Sequence, residues 1–575
     1  MTSLPAASPD QVLQEITSAN AALLERFLRD LPSAGNADLT ALLRVFTQAD
    51  DNQLEKLRAL QMTLYRGHFT LWHQFALPVN DLAFSAPPSD DCSEAPEWRL
   101  AFFQYLQRAY QLNAQFLTEV GELAQLEPHA KRRLQFQLRQ LTDAMSPKNS
   151  AATNPEVIKL AAQTGGGSLV QGLKLLTADI ARGRISMTDE QAFEVGRNLA
   201  ITPGAVVYEN EVMQLIQYAP ATRDTYEYPL LIVPPFINKY YILDLQPENS
   251  FVRFCVEQGF TTFIVSWRNV TPQLGQLGWS DYIEKGVLSP ADVVKRISGA
   301  ARINTLGFCV GGTLLACALA VMAARKENQA ISLTLLATML DFSDTGDISV
   351  YIDEEYVERS EHEFRTSGCM PGSKLASTFA TLRANDLIWH FVVNSYLKGT
   401  LPRAFDLLYW NADGSNLPGR LYTYYLRNMY LENNLRIPGK LDACGVPLDL
   451  GVIDVPAYIL ATKEDHIVPW RSAYASVRLL GGRSEFVLGA SGHVAGIVNP
   501  PVKNRRHYWV NSSVDGEPDA WLANATQNAG SWWNHWATWI SSRSGALKPA
   551  SVQLGSVEFP EMEAAPGRYV KEKSV

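Results

Sequence analysis

The feature that most constrains this chain is a strand-like run, a glycine-flanked turn and a helix-like run in succession, INTLGFCVGGTLLACALA at 303–320. The apolar residues before Gly307 predict a buried strand, and those from Leu314 onward predict a helix. Between them, Gly307-x-Cys309-x-Gly311 places one thiol between two glycines. A sharp turn from strand to helix leaves no room for side chains two positions either side of its central residue. The pattern therefore predicts Cys309 as a nucleophile at a helix N-terminus, where the dipole favours a thiolate.

Short apolar runs recur after about residue 200 and predict the architecture around this turn. They are interpreted as buried strands at 229–237, 261–267, 303–308, 331–338, 456–462 and 484–489. Their continuous apolar character is typical of parallel strands covered on both faces, and helix-like segments lie between most of them. The sequence therefore predicts a doubly wound α/β catalytic domain over 191–575.

Three other stretches complete the predicted organisation. Residues 1–190 are expected to form a helical N-terminal domain, with a helix start in SPDQ at 8–11 because serine can cap it and proline suits its first turn. The interval 341–454 is far longer than one crossover needs, so we interpret it as a cap inserted over the carboxyl edge of the sheet. The final letters EAAPGRYVKEKSV are expected to form an irregular tail.

Composition excludes several classes of protein. The 59 acidic and 50 basic residues leave a net charge of -9, which argues against a nucleic-acid partner. The longest uncharged apolar run, 313–324, is shorter than the roughly 20 residues of a membrane span, and no signal peptide is expected. The six cysteines form no CxxC pair, which favours a reducing, cytosolic setting. The histidines show no metal-ligand spacing, so we expect no metal.

Two further residues stand where partners of Cys309 are needed. Asp465 follows the predicted strand at 456–462, and His493 follows the one at 484–489. The order nucleophile, acid, histidine, each after a strand, is that of the α/β-hydrolase fold. We therefore predict Cys309, Asp465 and His493 as the catalytic residues. His466 is a rival base, ranked second because a neighbour of the acid on a tight loop points elsewhere.

An oxyanion hole needs two backbone N–H groups. One is expected from Val310, directly after the nucleophile, and the other from the loop after an earlier strand. VPPFINKYYILDL at 233–245 supplies that loop, and either Phe236 or Ile237 is the expected donor. We take Ile237 as the prediction.

A cysteine in place of the usual serine bears on the reaction. Cysteine forms a thioester, so exchange with a substrate that is itself a thioester, such as an acyl-coenzyme A, is close to balanced in energy. The acyl group then stays activated for transfer to a hydroxyl. The sulfur therefore favours acyl transfer over hydrolysis, although cysteine hydrolases exist.

Long motifs from about residue 155 onward resemble the polyhydroxyalkanoate synthases, and most of all the single-chain class I enzymes. They are AFEVGRN (192–198), PGAVVYENE (203–211), PPFINKYYILDLQPENS (234–250), VSWRN (265–269), GFCVGGT (307–313), SGHVAGIVNPP (491–501) and GSWWNHW (530–536). Residues 1 to about 150 resemble the family only loosely.

The resemblance implies an α/β-hydrolase fold and an acyltransferase that polymerises (R)-3-hydroxyacyl-coenzyme A, short-chain units such as 3-hydroxybutyryl-coenzyme A being expected. Cys309 is then the covalent nucleophile, His493 its base and Asp465 the third member. The aspartate either orients His493 or activates the 3-hydroxyl of the incoming unit. The resemblance also implies a cytoplasmic homodimer on the surface of polyester granules. No cofactor is expected, since coenzyme A belongs to the substrate.

Two other functions stay open at this point. A thioesterase or polyester depolymerase could use the same fold, and it would pass the acyl group to water. A granule-coating role could belong to residues 1–190. The four tryptophans of GSWWNHWATWI at 530–540 are better interpreted as core than as a granule contact.

Overall fold

The computed structural model describes residues 45–47, 50–76, 95–327 and 329–574. The helix start predicted at 8–11 lies outside the described residues. The chain divides into two compact units, one of Met1–Asp189 with Ser377–Arg403 and one of Glu190–Ala376 with Ala404–Val575. The first unit thus takes up part of the range predicted as a cap insertion.

The described part of the first unit is helical. Its α-helices are α1 (Asp51–Ala76), α2 (Ala101–Leu123), α3 (Pro128–Ala144), α4 (Pro155–Gln163) and α5 (Gly167–Arg182). Asn154 caps α4 by accepting hydrogen bonds from the N–H groups of Glu156 and Val157, with Pro155 at the first helical position. Leu57, Val120 and their neighbours form one apolar core between helices.

The segment Ser377–Arg403 packs within this same unit. It contains two π-helical turns, Asn385–Trp389 and Val392–Leu397. Tyr396 donates a hydrogen bond from its hydroxyl to Asp179 Oδ2 at 2.7 Å. A cap role for 341–454 stays a prediction.

The described part of the second unit contains an 11-stranded sheet and three short two-stranded sheets, β3-β16, β8-β9 and β10-β11. The strands of the large sheet are β1 (Gly204–Glu209), β2 (Met213–Tyr218), β4 (Leu230–Val233), β5 (Thr262–Trp267), β6 (Ile303–Phe308), β7 (Ala330–Leu336), β12 (Ala457–Thr462), β13 (Ser484–Gly489), β14 (His507–Val510), β15 (Thr526–Ala529) and β17 (Glu563–Ala564). The remaining short strands are β3 (Asp224–Tyr226), β8 (Cys369–Met370), β9 (Leu417–Pro418), β10 (Asp442–Ala443), β11 (Val446–Pro447) and β16 (Leu547–Pro549).

The centre of the large sheet is parallel and its two edges are antiparallel. The parallel strands lie in the order β5-β4-β6-β7-β12-β13. These are the six strands that the sequence predicted. The antiparallel edges, β2-β1-β17 on one side and β14-β15 on the other, were not predicted. β2 is buried throughout but contains two glutamines, β1 is buried only in its middle, and β14, β15 and β17 have no buried residue, so none has the continuous apolar run of a central strand.

Helices cover the sheet of the second unit. They are α6 (Phe251–Glu257), α7 (Trp279–Ile283), α8 (Ser289–Ser298), α9 (Val310–Ala324), α10 (Glu354–Ser367), α11 (Gly372–Leu382, which runs across the unit boundary), α12 (Asp406–Ala412), α13 (Gly419–Tyr425), α14 (Trp470–Ala475), α15 (His493–Ile497), α16 (Pro518–Ala523) and α17 (Trp532–Ser541). The tryptophans of α17 are buried, Trp536 completely, and Trp536 Nε1 donates to Thr334 Oγ1 at 3.0 Å. The interpretation of this segment as core is confirmed.

The C-terminal segment is largely irregular, as predicted, but it is packed rather than free. Residues Glu563–Ala564 pair with β1, and Tyr569 and Val570 are buried. The sequence did not predict this packing because the few apolar side chains here have no period of their own.

No helix in the described ranges is long and apolar enough to cross a membrane. The same part of the chain holds no group of three or more His, Cys, Asp or Glu side chains that could bind a metal ion. The described cysteines are free thiols: Cys255, Cys309, Cys317, Cys369 and Cys444.

Candidate active site

Cys309 forms the sharp turn between β6 and α9. Its backbone has φ 53° and ψ −130°, a strained conformation for a residue with a side chain. The Cys309 N–H donates to Leu336 O at 2.9 Å, and Thr338 Oγ1 donates to Cys309 O at 3.2 Å. The end of β7 therefore clamps the turn from both sides. The helix begins at Val310, four residues before Leu314, where the sequence pattern predicted its start.

Glycines make this turn possible. A Cβ on Gly311 would lie 2.4 Å from the carbonyl oxygens of both Val233 and Pro234, at the end of β4. A Cβ on Gly307 would lie 2.4 Å from Gly312 Cα. The nucleophile, the loop after β4 and the first turn of α9 thus pack backbone against backbone, as the Gly-x-Cys-x-Gly pattern predicts.

Asp465 lies in the loop after β12 and its carboxylate is fully bonded. Its Oδ1 accepts hydrogen bonds from the N–H groups of Ile467 and Val468, each at 2.9 Å. Its Oδ2 accepts one from His493 Nδ1 at 2.7 Å and one from Thr462 Oγ1 at 3.3 Å. The side chain has no exposed surface. These bonds leave the carboxylate one orientation, facing the histidine.

His493 begins α15, after β13, and its ring stacks on Phe308 with ring centroids 5.5 Å apart. Burial alone would lower the pKa of His493. The carboxylate of Asp465 and the neighbouring Cys309 outweigh burial and raise that pKa well above its ordinary value. The ring that bonds Asp465 Oδ2 at 2.7 Å is that of His493, the histidine preferred over His466 in the sequence analysis.

The predicted oxyanion donors lie on the two backbones that meet at the turn. Val310 is the first residue of α9, so its N–H is one of those without a carbonyl partner inside the helix. The Ile237 carbonyl accepts a hydrogen bond from the N–H of Ser415 at 3.1 Å. This bond holds the peptide that directly follows the predicted donor N–H in the loop after β4. Phe236 turns its ring into a buried aromatic cluster instead, edge-on to Tyr282 at 5.3 Å.

Two tyrosines near Cys309 escaped the sequence analysis. Tyr425 ends α13 and Tyr430 lies in the π-helical turn Leu426–Leu431, with ring centroids 5.3 Å apart. Burial raises the pKa of each phenol, and the neighbouring Cys309 raises it further, so both phenols stay protonated. The signal that could have found them is the richness in tyrosine of the interval 341–454.

The fold and this site define a protein of the α/β-hydrolase class. The family model described as "alpha/beta hydrolase fold" matches residues 228–500. A second model, described as "Poly-beta-hydroxybutyrate polymerase (PhaC) N-terminus", matches residues 89–255. The fold predicted from the sequence, including a helical N-terminal region, is confirmed.

Curated relatives then identify the family. The poly(3-hydroxyalkanoate) polymerase subunit PhaC of Cupriavidus necator is 48% identical over 90% of this chain and 89% of its own length. The protein of the same name from Rhizobium meliloti is 40% identical over 82% and 77%. Poly(3-hydroxyalkanoate) polymerase 1 of Ectopseudomonas oleovorans is 40% identical over 85% and 88%. This chain belongs to the poly(3-hydroxyalkanoate) polymerases, and it is an enzyme, an acyltransferase-type synthase.

Proposed function

We propose that this chain polymerises (R)-3-hydroxyacyl-coenzyme A through a covalent thioester on Cys309, with release of coenzyme A. The observation that carries the proposal is the 2.7 Å hydrogen bond from His493 Nδ1 to Asp465 Oδ2, beside a cysteine in a nucleophile turn. With Nδ1 donating to the carboxylate, Nε2 is the nitrogen that can accept the thiol proton. Cys309 then acts as the nucleophile, His493 as its base and Asp465 as the third member of the catalytic set.

Acylation of Cys309 is the first step of the proposal. His493 Nε2 takes the proton of the thiol, and the thiolate adds to the carbonyl carbon of the acyl-coenzyme A. The carbonyl oxygen becomes an oxyanion, for which the N–H groups of Val310 and Ile237 are the proposed donors. The bond from the carbonyl carbon to the sulfur of coenzyme A then breaks, and the imidazolium gives its proton to the departing sulfur.

Elongation uses a hydroxyl as the acceptor. The 3-hydroxyl of another 3-hydroxyacyl-coenzyme A gives its proton to His493 Nε2, or to Asp465 in the second of the two roles below. Its oxygen adds to the thioester carbonyl, the bond from the carbonyl carbon to Cys309 sulfur breaks, and the thiolate leaves as a new ester forms. The extended chain can return to Cys309 by the acylation step, with loss of coenzyme A. We propose that Asp465 either orients His493 for this step or activates the hydroxyl, and the variant described below separates the two roles.

Short-chain units such as 3-hydroxybutyryl-coenzyme A are the proposed substrates. The description of the matching N-terminal family model names poly-beta-hydroxybutyrate, which supports this choice. The reaction as written needs no cofactor, since each electron pair and proton comes from the substrate, Cys309 or His493. Composition analysis of polymer made from mixed acyl-coenzyme A substrates would test the preference.

Because the growing polymer is attached through Cys309 and is insoluble, we propose that the enzyme resides at the surface of cytoplasmic polyester granules. A homodimer is the proposed state. Sedimentation of the purified protein would test the homodimer. Fractionation of polymer-containing cells would test the location at the granule surface.

Replacement of the nucleophile tests the proposal directly. Cys309→Ala should lower coenzyme A release by at least about 10⁴-fold, because no thioester can form. Cys369→Ala is the matched control, since that thiol is also partly exposed but lies on β8. Coenzyme A release by Cys309→Ala at the rate of the control would refute the covalent role.

The acceptor separates polymerisation from hydrolysis by a thioesterase or depolymerase. Incubation with 3-hydroxybutyryl-coenzyme A should yield insoluble polymer together with coenzyme A, and free 3-hydroxybutyrate in equal amount would favour the hydrolase. Asp465→Asn should still acylate Cys309 but elongate poorly if the aspartate activates the hydroxyl. Loss of acylation as well would show that it serves mainly His493.

A further inference from the structure

The C-terminal segment of the chain reaches the loop that carries the predicted oxyanion donor. This loop, 236–241, follows β4, and Glu572 of the C-terminal segment is bonded to it. Lys239, within the loop, is buried, and its Nζ donates a hydrogen bond to Glu572 O at 2.5 Å. A buried ammonium needs such partners, so the position of Glu572 bears on the position of the loop.

A second connection runs through Asp413, whose side chain is 5% exposed. Its Oδ1 accepts a hydrogen bond from Lys573 Nζ at 2.9 Å, and its Oδ2 accepts one from the hydroxyl of Tyr241 at 3.0 Å. Asp413 therefore joins the end of the chain to the end of the loop. Lys573 keeps 64% of its side chain exposed, so its ammonium bridges solvent and a buried carboxylate.

A third connection is made by main-chain groups. Asn269 Nδ2 donates to Lys573 O at 3.0 Å, while Asn269 Oδ1 accepts from the N–H of Asn416 at 2.9 Å. The neighbouring N–H, that of Ser415, donates to Ile237 O at 3.1 Å. A chain of hydrogen bonds thus runs from Lys573 to the peptide next to the predicted donor.

We propose that Glu572 and Lys573 form a latch that positions the loop 236–241, and with it the Ile237 N–H, for the acyl-transfer reaction. The inference rests on the proposed function, because it assigns Ile237 to the oxyanion hole. The latch acts through other groups and touches no substrate, so Lys573 is a positioning residue.

Charge explains how loss of the latch would move the loop. Lys239 and Lys573 both lie near Asp413, and the carboxylate raises the pKa of Lys573 against burial, which lowers it. Loss of either charge of the Lys573–Asp413 ion pair releases Lys573 and, with it, the adjacent Glu572. The Glu572 carbonyl is the hydrogen-bond acceptor for Lys239, two residues from Ile237, so the loop loses one of the contacts that position it.

The test uses the full-length chain with Lys573→Met. We expect kcat for coenzyme A release to fall about 10- to 100-fold, because a misplaced oxyanion donor loses that much, while KM stays within about twofold. Alkylation of Cys309 by iodoacetamide should keep its wild-type rate, since that reaction develops no oxyanion. Lys573→Arg should restore most of kcat, and Lys571→Met, an equal charge change in the same segment, should leave kcat unchanged.

Asp413→Asn provides a second test, because it keeps the hydrogen bond from Tyr241 and removes the charge. Its kcat should fall as in Lys573→Met, and the double variant should fall no further, since both changes break one connection. Multiplied losses in the double variant, wild-type kcat in Lys573→Met, or a parallel loss of alkylation would each overturn the latch. Retained coenzyme A release by Cys309→Ala would instead refute the proposed function, whatever the latch variants do.

Discussion

Asp465 accepts a hydrogen bond from His493 at 2.7 Å across 28 residues of sequence, with both side chains buried. Each residue follows a different parallel strand, and the carboxyl ends of those strands bring the two together beside Cys309. The pair explains the raised pKa of His493, because a buried imidazolium is favoured only where negative charge faces it.

Asp465→Asn should therefore lower the pKa of His493, and Cys309→Ala should lower it too, because each removes one negative group. Histidine ¹⁵N NMR titration measures the change, with the His493→Gln spectrum assigning the signal among nine histidines. The raised pKa contributes stability that is fully present below about pH 6.5 and is lost as pH rises through the folded-state pKa. An unchanged titration in Asp465→Asn would contradict the assignment of cause.

Gly311→Ala should disable the turn even though alanine is small. The new Cβ would lie 2.4 Å from two backbone carbonyl oxygens, and backbone cannot rotate away as a side chain can. We expect a loss of about 1–3 kcal/mol in stability and about 10²-fold in kcat. Gly167→Ala, whose Cβ would find its nearest neighbour at 3.7 Å, is the control. Thermal unfolding measures the stability and coenzyme A release measures kcat. Equal losses in the two variants would be inconsistent with tight backbone packing at this turn.

Asp244 should make stability depend on pH in the acidic range. Burial raises the pKa of this carboxyl to about 6, although Thr202 and Ser250 donate hydrogen bonds to it. The folded state holds the proton more tightly than the unfolded chain, so this contribution is present below about pH 4 and is lost as pH rises through about 6. The loss is roughly 3 kcal/mol for a shift of about two units.

Asp244→Asn removes that titration while keeping an oxygen to accept the two hydrogen bonds. Unfolding midpoints of the wild type should therefore fall between pH 4 and 6.5 relative to those of the variant. Asp292→Asn, at a carboxyl that is 52% exposed, should follow the wild type. Parallel curves for Asp244→Asn and the wild type would count against a perturbed Asp244.

Trp536 should be among the most important side chains of the core. It is completely buried and its indole N–H is bonded to Thr334. Trp536→Ala should lower the free energy of unfolding by about 3–5 kcal/mol, and Trp536→Phe by less, since most of the ring volume remains. Trp72→Ala, at a side chain 56% exposed, should stay within about 0.5 kcal/mol of the wild type. Denaturant titration makes the comparison, and similar losses at both positions would contradict it.

The parallel centre of the sheet was predictable from local pattern, because β4, β5, β6, β7, β12 and β13 are largely buried and mainly apolar. The edge strands β14 and β17 were not, since they are short, partly exposed and take their register from neighbours distant in sequence. The same reason hid the C-terminal segment, whose hydrogen bonds to Lys239 and Asn269 join positions more than 300 residues apart.

By itself, the sequence determined the class of fold and the candidate catalytic residues Cys309, Asp465 and His493. A nucleophile turn and residues that directly follow strands can be recognised from short stretches of sequence. The tertiary structure alone decided which histidine faces Asp465, that Tyr425 and Tyr430 lie near the thiol, and that Glu572 is bonded to Lys239 in the loop at 236–241. Those relationships depend on packing between elements, and no periodicity in the chain encodes a contact between side chains brought together only by folding.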